Sequence, residues 1–161
     1  MTNPTAAILL IGDEILSGRT QDTNGNFLAK ALTARGITLA EIRVIGDETT
    51  LIVTTLNALR AKYDYVFTSG GIGPTHDDIT ADAVAQAFDV PLLTRQDAVE
   101  ALARNYKNGK DDLTPARLRM ARVPEGALLI HNPVSGAPGF SIGNVHVMAG
   151  VPKVFEAMVD G

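Results

Sequence analysis

Three short apolar runs along this chain each stop at a glycine. Residues 6–11 lead into Gly12-Asp13-Glu14, a run over 37–45 leads into Gly46-Asp47, and Tyr65-Val66-Phe67-Thr68 leads into Ser69-Gly70-Gly71. Between them lie segments with apolar residues at helical spacing: Phe27, Leu28, Ala31 and Leu32 within 24–35, stopped by Gly36, and Ile52, Leu56 and Leu59 after Thr49, which reads as an N-cap. A third helix is predicted over 80–88. This strand–helix alternation implies a parallel sheet covered by helices on both faces. Ligands on such sheets bind beyond the carboxyl ends of the strands, so the three glycine turns are expected on one functional rim.

The third turn carries the most chemistry. It runs Thr68-Ser69-Gly70-Gly71-Ile72-Gly73-Pro74-Thr75-His76-Asp77-Asp78-Ile79-Thr80. Gly70, Gly71 and Gly73 let the backbone approach a ligand closely, and their amides, with those opening the next helix, can cradle an anion. Asp77 and Asp78 set two carboxylates beside that cradle. Acids repel a phosphate unless a divalent cation lies between them, so the segment predicts a metal-assisted site for a phosphorylated ligand. The same residues also read as a solvated turn whose acids complement a helix dipole. A Walker loop is excluded because His76 and Asp77 stand where Lys and Ser or Thr belong. A dinucleotide loop is excluded because His76 holds the third glycine's place.

Composition sets the class. The 161 residues read as one domain spanning 1–161, with 45% hydrophobic and 20% charged residues and no cysteine, which excludes disulfides and thiolate metal sites. A net charge of −4, with Arg117, Arg119 and Arg122 as the tight basic group, argues against nucleic acid as a partner. No apolar run is long enough to span a bilayer, and Met1-Thr2-Asn3-Pro4 does not open a signal peptide; a cytoplasmic enzyme or ligand-binding domain is expected, with no membrane partner.

The second half is less regular. A helix is predicted over 95–106, a polar mobile connection over 105–112, and a short helix opened by Thr114-Pro115. A strand over 127–130 precedes the rigid loop of residues 132–140. Ile142-Gly143-Asn144-Val145 suggests a hairpin into a strand over 145–149, and Val151-Pro152 starts a terminal helix carrying Val154, Phe155 and Met158.

Taken together, Gly12-Asp13-Glu14-Ile15-Leu16-Ser17-Gly18, Asp22-Thr23-Asn24 and the full 70–80 turn resemble the molybdopterin-binding domain of the CinA type. Asn132, the 136–140 stretch and Gly150-Val151-Pro152 match that family's later motifs, in order and over essentially the whole chain. The resemblance implies a three-layer α/β/α sandwich with a mainly parallel sheet, shared with MoaB and Mog proteins of molybdenum-cofactor synthesis. Mog-type members adenylylate molybdopterin with MgATP. CinA-type members are associated with divalent-metal-dependent hydrolysis of ADP-ribose and related pyrophosphates. The expected function is therefore binding of a phosphorylated nucleotide or pterin with metal-dependent nucleotide pyrophosphatase activity. The alternatives are a noncatalytic molybdopterin or nucleotide-binding module, or Mog-like adenylyl transfer.

By this resemblance Asp47 and Asp78 correspond to the two important acids of the Mog site. Asp78, with Asp77 as a second ligand, is expected to hold Mg²⁺ or another divalent metal. Gly70, Gly71, Gly73 and Thr75 are expected to bind phosphate. Ser135 and Gly136 resemble the part that holds the pterin or terminal phosphate. Asp13 and Glu14 read as solvated acids or as accessory metal or ribose contacts; Ser17 as a phosphate contact; Thr23 and Asn24 as phosphate contacts or helix caps, with capping favoured for Asn24; and His76 as a loop-surface residue, general acid or phosphate donor. Three departures stand out. Ala149 replaces the usual Pro before Gly-Val-Pro. Asp77 replaces the Arg usual in Mog and MoaB proteins, removing a phosphate donor and predicting stronger metal dependence. The deamidase domain of full-length CinA proteins is not expected within these 161 residues, so that activity is not carried over. Relatives form dimers or trimers, which makes a homo-oligomer the expected assembly.

Overall fold

The computed structural model describes residues 3–160. Its centre is β1 (Thr5–Ile11), whose side chains are buried on both faces. Ala7, Leu9 and Ile11 enter one core, while Ala6, Ile8 and Leu10 enter another. A continuous apolar run is what a parallel strand covered on both sides requires. β2 (Thr38–Ile45) and β3 (Tyr65–Ser69) flank β1 in parallel, and β8 (Val145–Met148) lies parallel to β3. β7 (Gly139–Ile142) and β6 (Leu128–Ile130) complete the sheet antiparallel, giving the order β2-β1-β3-β8-β7-β6.

Helices cover both faces, as the alternation predicted. α3 (Thr49–Lys62) and α4 (Thr80–Ala87) supply Ile52, Leu56, Leu59, Ala83 and Val84 to the first core. α2 (Asn24–Thr33) and α7 (Pro152–Asp160) supply Leu28, Leu32, Val154, Phe155 and Met158 to the second. α5 (Gln96–Ala103) closes the first face with a small two-stranded sheet of β4 (Leu92–Thr94) and β5 (Arg122–Pro124). Of these, β4 and β5 carry no pattern that announces them, being three residues each, whereas β7 is the first arm of the expected hairpin, Ile142 facing Val145 of β8. The 105–112 connection holds a 3₁₀ turn over Gly109–Asp112, tied by Asp112, which accepts from the Asn108 amide at 2.9 Å. α6 (Pro115–Leu118) opens as expected, with Thr114 Oγ1 accepting from the Arg117 amide at 3.2 Å.

Two capping expectations are corrected. Thr49 is the first residue of α3, and Glu48 is its N-cap. At α2 the capping side chain is Asp22, which accepts from the amides of Asn24 and Gly25 at 3.1 and 2.9 Å. That frees Asn24 to turn inward, where it is 3% exposed.

Candidate functional site

The three glycine turns do share one rim. Gly12 continues the β1–β2 ladder, donating to Ile45 O at 3.0 Å. α1 (Asp13–Leu16) then begins. Asp13 and Asp47 hold each other's loops: the Asp13 amide donates to Asp47 Oδ2 at 3.3 Å and the Asp47 amide to Asp13 Oδ1 at 3.2 Å. Burial pushes the Asp47 carboxyl above its ordinary value of 3.8, and the carboxylates of Asp13, Glu14 and Asp78 add to the rise, against the hydrogen bond from Asp13. Asp47 and Asp78, which stand about thirty positions apart in the chain, are thus electrostatic neighbours.

The 70–80 turn is locked from below. Gly70 has φ +105° and its amide donates to Met148 O at 3.1 Å; Gly71 has φ +74°. A Cβ on Gly70 would run into Ile11 O, and one on Gly71 into the Thr80 hydroxyl. Thr80, fully buried at the start of α4, donates through Oγ1 to Gly70 O at 2.9 Å and through its amide to Gly71 O at 3.0 Å. Among the described residues the amides of Gly71, Ile72 and Gly73 have no protein acceptor, which leaves them for an anion. The Thr75 amide and hydroxyl instead donate to Asp78 Oδ2 at 2.9 and 2.8 Å. Asp77 projects into solvent beside His76, with 3.4 Å between His76 Nε2 and Asp77 Oδ1.

The loss of an Arg at position 77 does not leave this turn without a cation. Arg119 donates through Nε to Thr75 O at 3.1 Å and through Nη2 to Asp78 O at 3.2 Å. In the sequence Arg119 is one of a small basic group, and nothing in its local pattern reveals that α6 and the turn following it fold back onto the glycine loop.

Two cavities of about 490 and 480 Å³ open on either side of the turn and share Glu14, Gly71 and Asp78. The larger is walled by Ile72, Met120, Val151 and Val154 and reaches Ser135. The other is lined by Asp13, Asp47, Asp77 and Asp78, with Arg19 on its wall. Ser135 accepts from Asn132 Nδ2 at 2.6 Å, and Asn132 also accepts the Val134 and Ser135 amides at 3.0 Å, so one buried amide side chain shapes this wall. Gly136 is not brought to the same cavity; it faces a separate groove beside Asn105. Gly70 and Gly73 line the larger cavity, while Thr75 lines the acidic one.

Among the described residues no three His, Cys, Asp or Glu side chains converge as metal ligands. The donor set does fit an Mg²⁺-like ion, which typically takes one or two carboxylates and completes its shell with substrate phosphate and water. Asp78 Oδ1 has no hydrogen-bond partner among the described residues, and Asp47 sits where carboxylates outnumber cations.

The raised carboxyl of Asp47 gives a testable consequence. A carboxyl with its folded pKa above its unfolded value costs stability once ionised. That cost is absent below the unfolded value, near 3.8, and complete above the raised folded one. Asp47→Asn is therefore expected to raise Tm at pH 7 in metal-free buffer, and the gain should vanish as pH falls towards the ordinary aspartate range. Differential scanning calorimetry across that range checks the sign.

A family model described as "Probable molybdopterin binding domain" matches residues 7–161. A CinA-like protein of Sulfurihydrogenibium sp. is 38% identical over 95% of this chain and 37% of its own length. The crystal structure of the CinA protein from Thermoplasma acidophilum superposes with a TM-score of 0.88 at 35% identity, covering 97% of this chain and 94% of that one. The molybdopterin biosynthesis enzyme MoaB of Thermus thermophilus shares the fold, with a TM-score of 0.62 at 20% identity over 98% of this chain and 87% of its own. Curated relatives run longer, this chain spanning from 37% to 66% of the length of those compared. The chain belongs to the family of molybdopterin-binding-type domains, in its CinA-like branch.

Proposed function

From that membership and the shape of the rim, we propose that the domain binds a two-part nucleotide pyrophosphate, such as ADP-ribose, and hydrolyses it with a divalent cation. The observation that carries this reading is the meeting of two cavities at Glu14, Gly71 and Asp78. A ligand with groups on both sides of a phosphoanhydride fits such a bridge. The apolar walls of the larger cavity suit a flat ring, and the acidic one suits a hydroxylated sugar. The free amides of Gly71, Ile72 and Gly73 face the bridging phosphates and stabilise charge as it gathers there. Asp78 and Asp47 would hold the cation, which when bound would offset charge on the leaving phosphate and ease deprotonation of the attacking water. Glu14, exposed at the junction with its carboxylate unpaired among the described residues, accepts the proton of the attacking water. Water adds to one phosphorus, the P–O–P bond breaks, and AMP and ribose 5-phosphate result.

A noncatalytic binding module is the second reading, favoured by the two hydrogen bonds that already occupy one oxygen of Asp78. Calorimetric titration with the non-hydrolysable α,β-methylene analogue of ADP-ribose and with AMP, each with Mg²⁺ and with chelator, tests the two-part ligand. Tighter binding of the analogue than of AMP, lost on chelation, is expected. Equal binding of the two, or binding indifferent to chelator, would overturn it.

A further inference from the structure

Among the described residues the acidic cavity has a single basic side chain on its wall: Asp13, Glu14, Asp47, Asp77 and Asp78 line it against Arg19 alone. An arginine in such company is expected to pair with a carboxylate, yet Arg19 makes no ion pair among the described residues. Its Nε instead donates to Ser17 Oγ at 3.1 Å, and Ser17 Oγ donates in turn to Glu14 O at 3.3 Å. The backbone on either side is tied down as well. The Gly18 amide donates to Ile15 O at 3.2 Å and the Thr20 amide to Glu14 O at 3.0 Å, with Gly18 at φ +82° completing the turn. The two terminal nitrogens of the guanidinium have no protein acceptor among the described residues.

A charged, planar fork held ready in this way matches an anion with paired oxygens, and phosphate is such a group. Position selects which phosphate. The chain from Glu14 to Thr20 crosses the junction of the two cavities: Glu14 lines both, Thr20 the larger one and Arg19 the acidic one. With the ring of a two-part pyrophosphate in the larger cavity, the phosphate beyond the P–O–P oxygen lies on the Arg19 side. A mononucleotide has no group there. Charge leads to the same assignment. A pyrophosphate adds negative charge to a cavity already crowded with it, and one divalent cation offsets only part of the total.

Given the reading of the joined cavities as a two-part pyrophosphate site, on which this rests, we propose that Arg19 binds the phosphate on the sugar side. That contact makes the site choose a two-phosphate ligand over a mononucleotide. Ser17 is the positioning residue, since its hydroxyl holds the guanidinium off the surrounding carboxylates.

Calorimetric titration in Mg²⁺ with the α,β-methylene analogue of ADP-ribose and with AMP tests this. Arg19→Ala is expected to weaken the analogue about tenfold or more, the scale of a charge-assisted hydrogen bond, and to leave AMP within about twofold. Arg19→Lys keeps the charge without the fork and should recover only part of the loss. Ser17→Ala leaves the cation in place but frees it to pair with the acids, so it should weaken the analogue as well. Both positions are exposed, and circular dichroism establishes that each variant is folded. A wild type that binds the analogue no more tightly than AMP, equal weakening of both ligands by Arg19→Ala, or full recovery in Arg19→Lys would each overturn the proposal. Hydrolysis and this contact fail separately. An Arg19-dependent preference in protein that releases no AMP from ADP-ribose sinks the hydrolase and leaves Arg19 assigned. Turnover of ADP-ribose by protein whose analogue binding is indifferent to Arg19→Ala sinks the assignment alone.

Discussion

Asp78→Asn is expected to lower ADP-ribose hydrolysis about a hundredfold or more, the scale on which removal of a transition-state charge stabiliser acts. The fold should survive, because an Asn oxygen can still accept from the Thr75 amide and hydroxyl that now donate to Asp78 Oδ2. The diagnostic signature lies in binding. The variant removes a negative charge that repels phosphate and a ligand for the cation together. Without divalent metal it should bind the α,β-methylene analogue of ADP-ribose more tightly than the wild type does, and with Mg²⁺ less tightly. Calorimetry under both conditions reads the crossover. A turn-forming role alone predicts weaker binding in both, or no change in either.

Gly71→Ala is expected to be the most damaging single substitution to the fold itself. Gly71 has φ +74°, and an added Cβ would meet the buried Thr80 hydroxyl, whose position is fixed by its bond to Gly70 O. Strain at a left-handed position and a clash at a packed helix start together cost about 3 kcal/mol or more, which for a chain of this size lowers Tm by roughly 6–12 °C. Thr80→Ser keeps the hydroxyl and should cost far less. Read by thermal melts, the comparison shows whether the damage comes from the Cβ added at Gly71 and not from any change at Thr80. If Gly71→Ala melted within a degree of the wild type, the tight joint between turn and helix would be refuted.

Much of this architecture was legible because it rests on periodicity and punctuation. The continuous apolar run at residues 6–11 demands a strand covered on both faces, and each of the three strands ends at a glycine that opens a loop on the same rim. The acids that gather there could be placed together from chain order alone. What escaped has a physical reason too. β4 and β5 are too short for a period to emerge, and they exist because they pair with each other from distant parts of the chain, Leu92 facing Pro124. Arg119 acts through two backbone carbonyls of a loop more than forty positions away, a contact that leaves no spacing to read. Asn24 looked like a cap because of its residue type. Asp22, two positions earlier, satisfies the helix amides, and Asn24 instead joins Ser69 at 2.8 Å and Gly150 O at 2.9 Å across the rim. Ser135 and Gly136 are neighbours in sequence and face different hollows, because Asn132 turns the chain between them.

Turnover of a two-part pyrophosphate by the joined cavities is directly measurable. Incubating the protein with ADP-ribose and Mg²⁺, Mn²⁺ or Co²⁺, and separately with chelator, and resolving the nucleotides by chromatography gives the answer. Metal-dependent release of AMP, abolished by chelator and reduced to background in Asp78→Asn, is the predicted result. Folded protein that binds ADP-ribose yet releases no AMP with any of the three metals would contradict it and leave a binding module in its place.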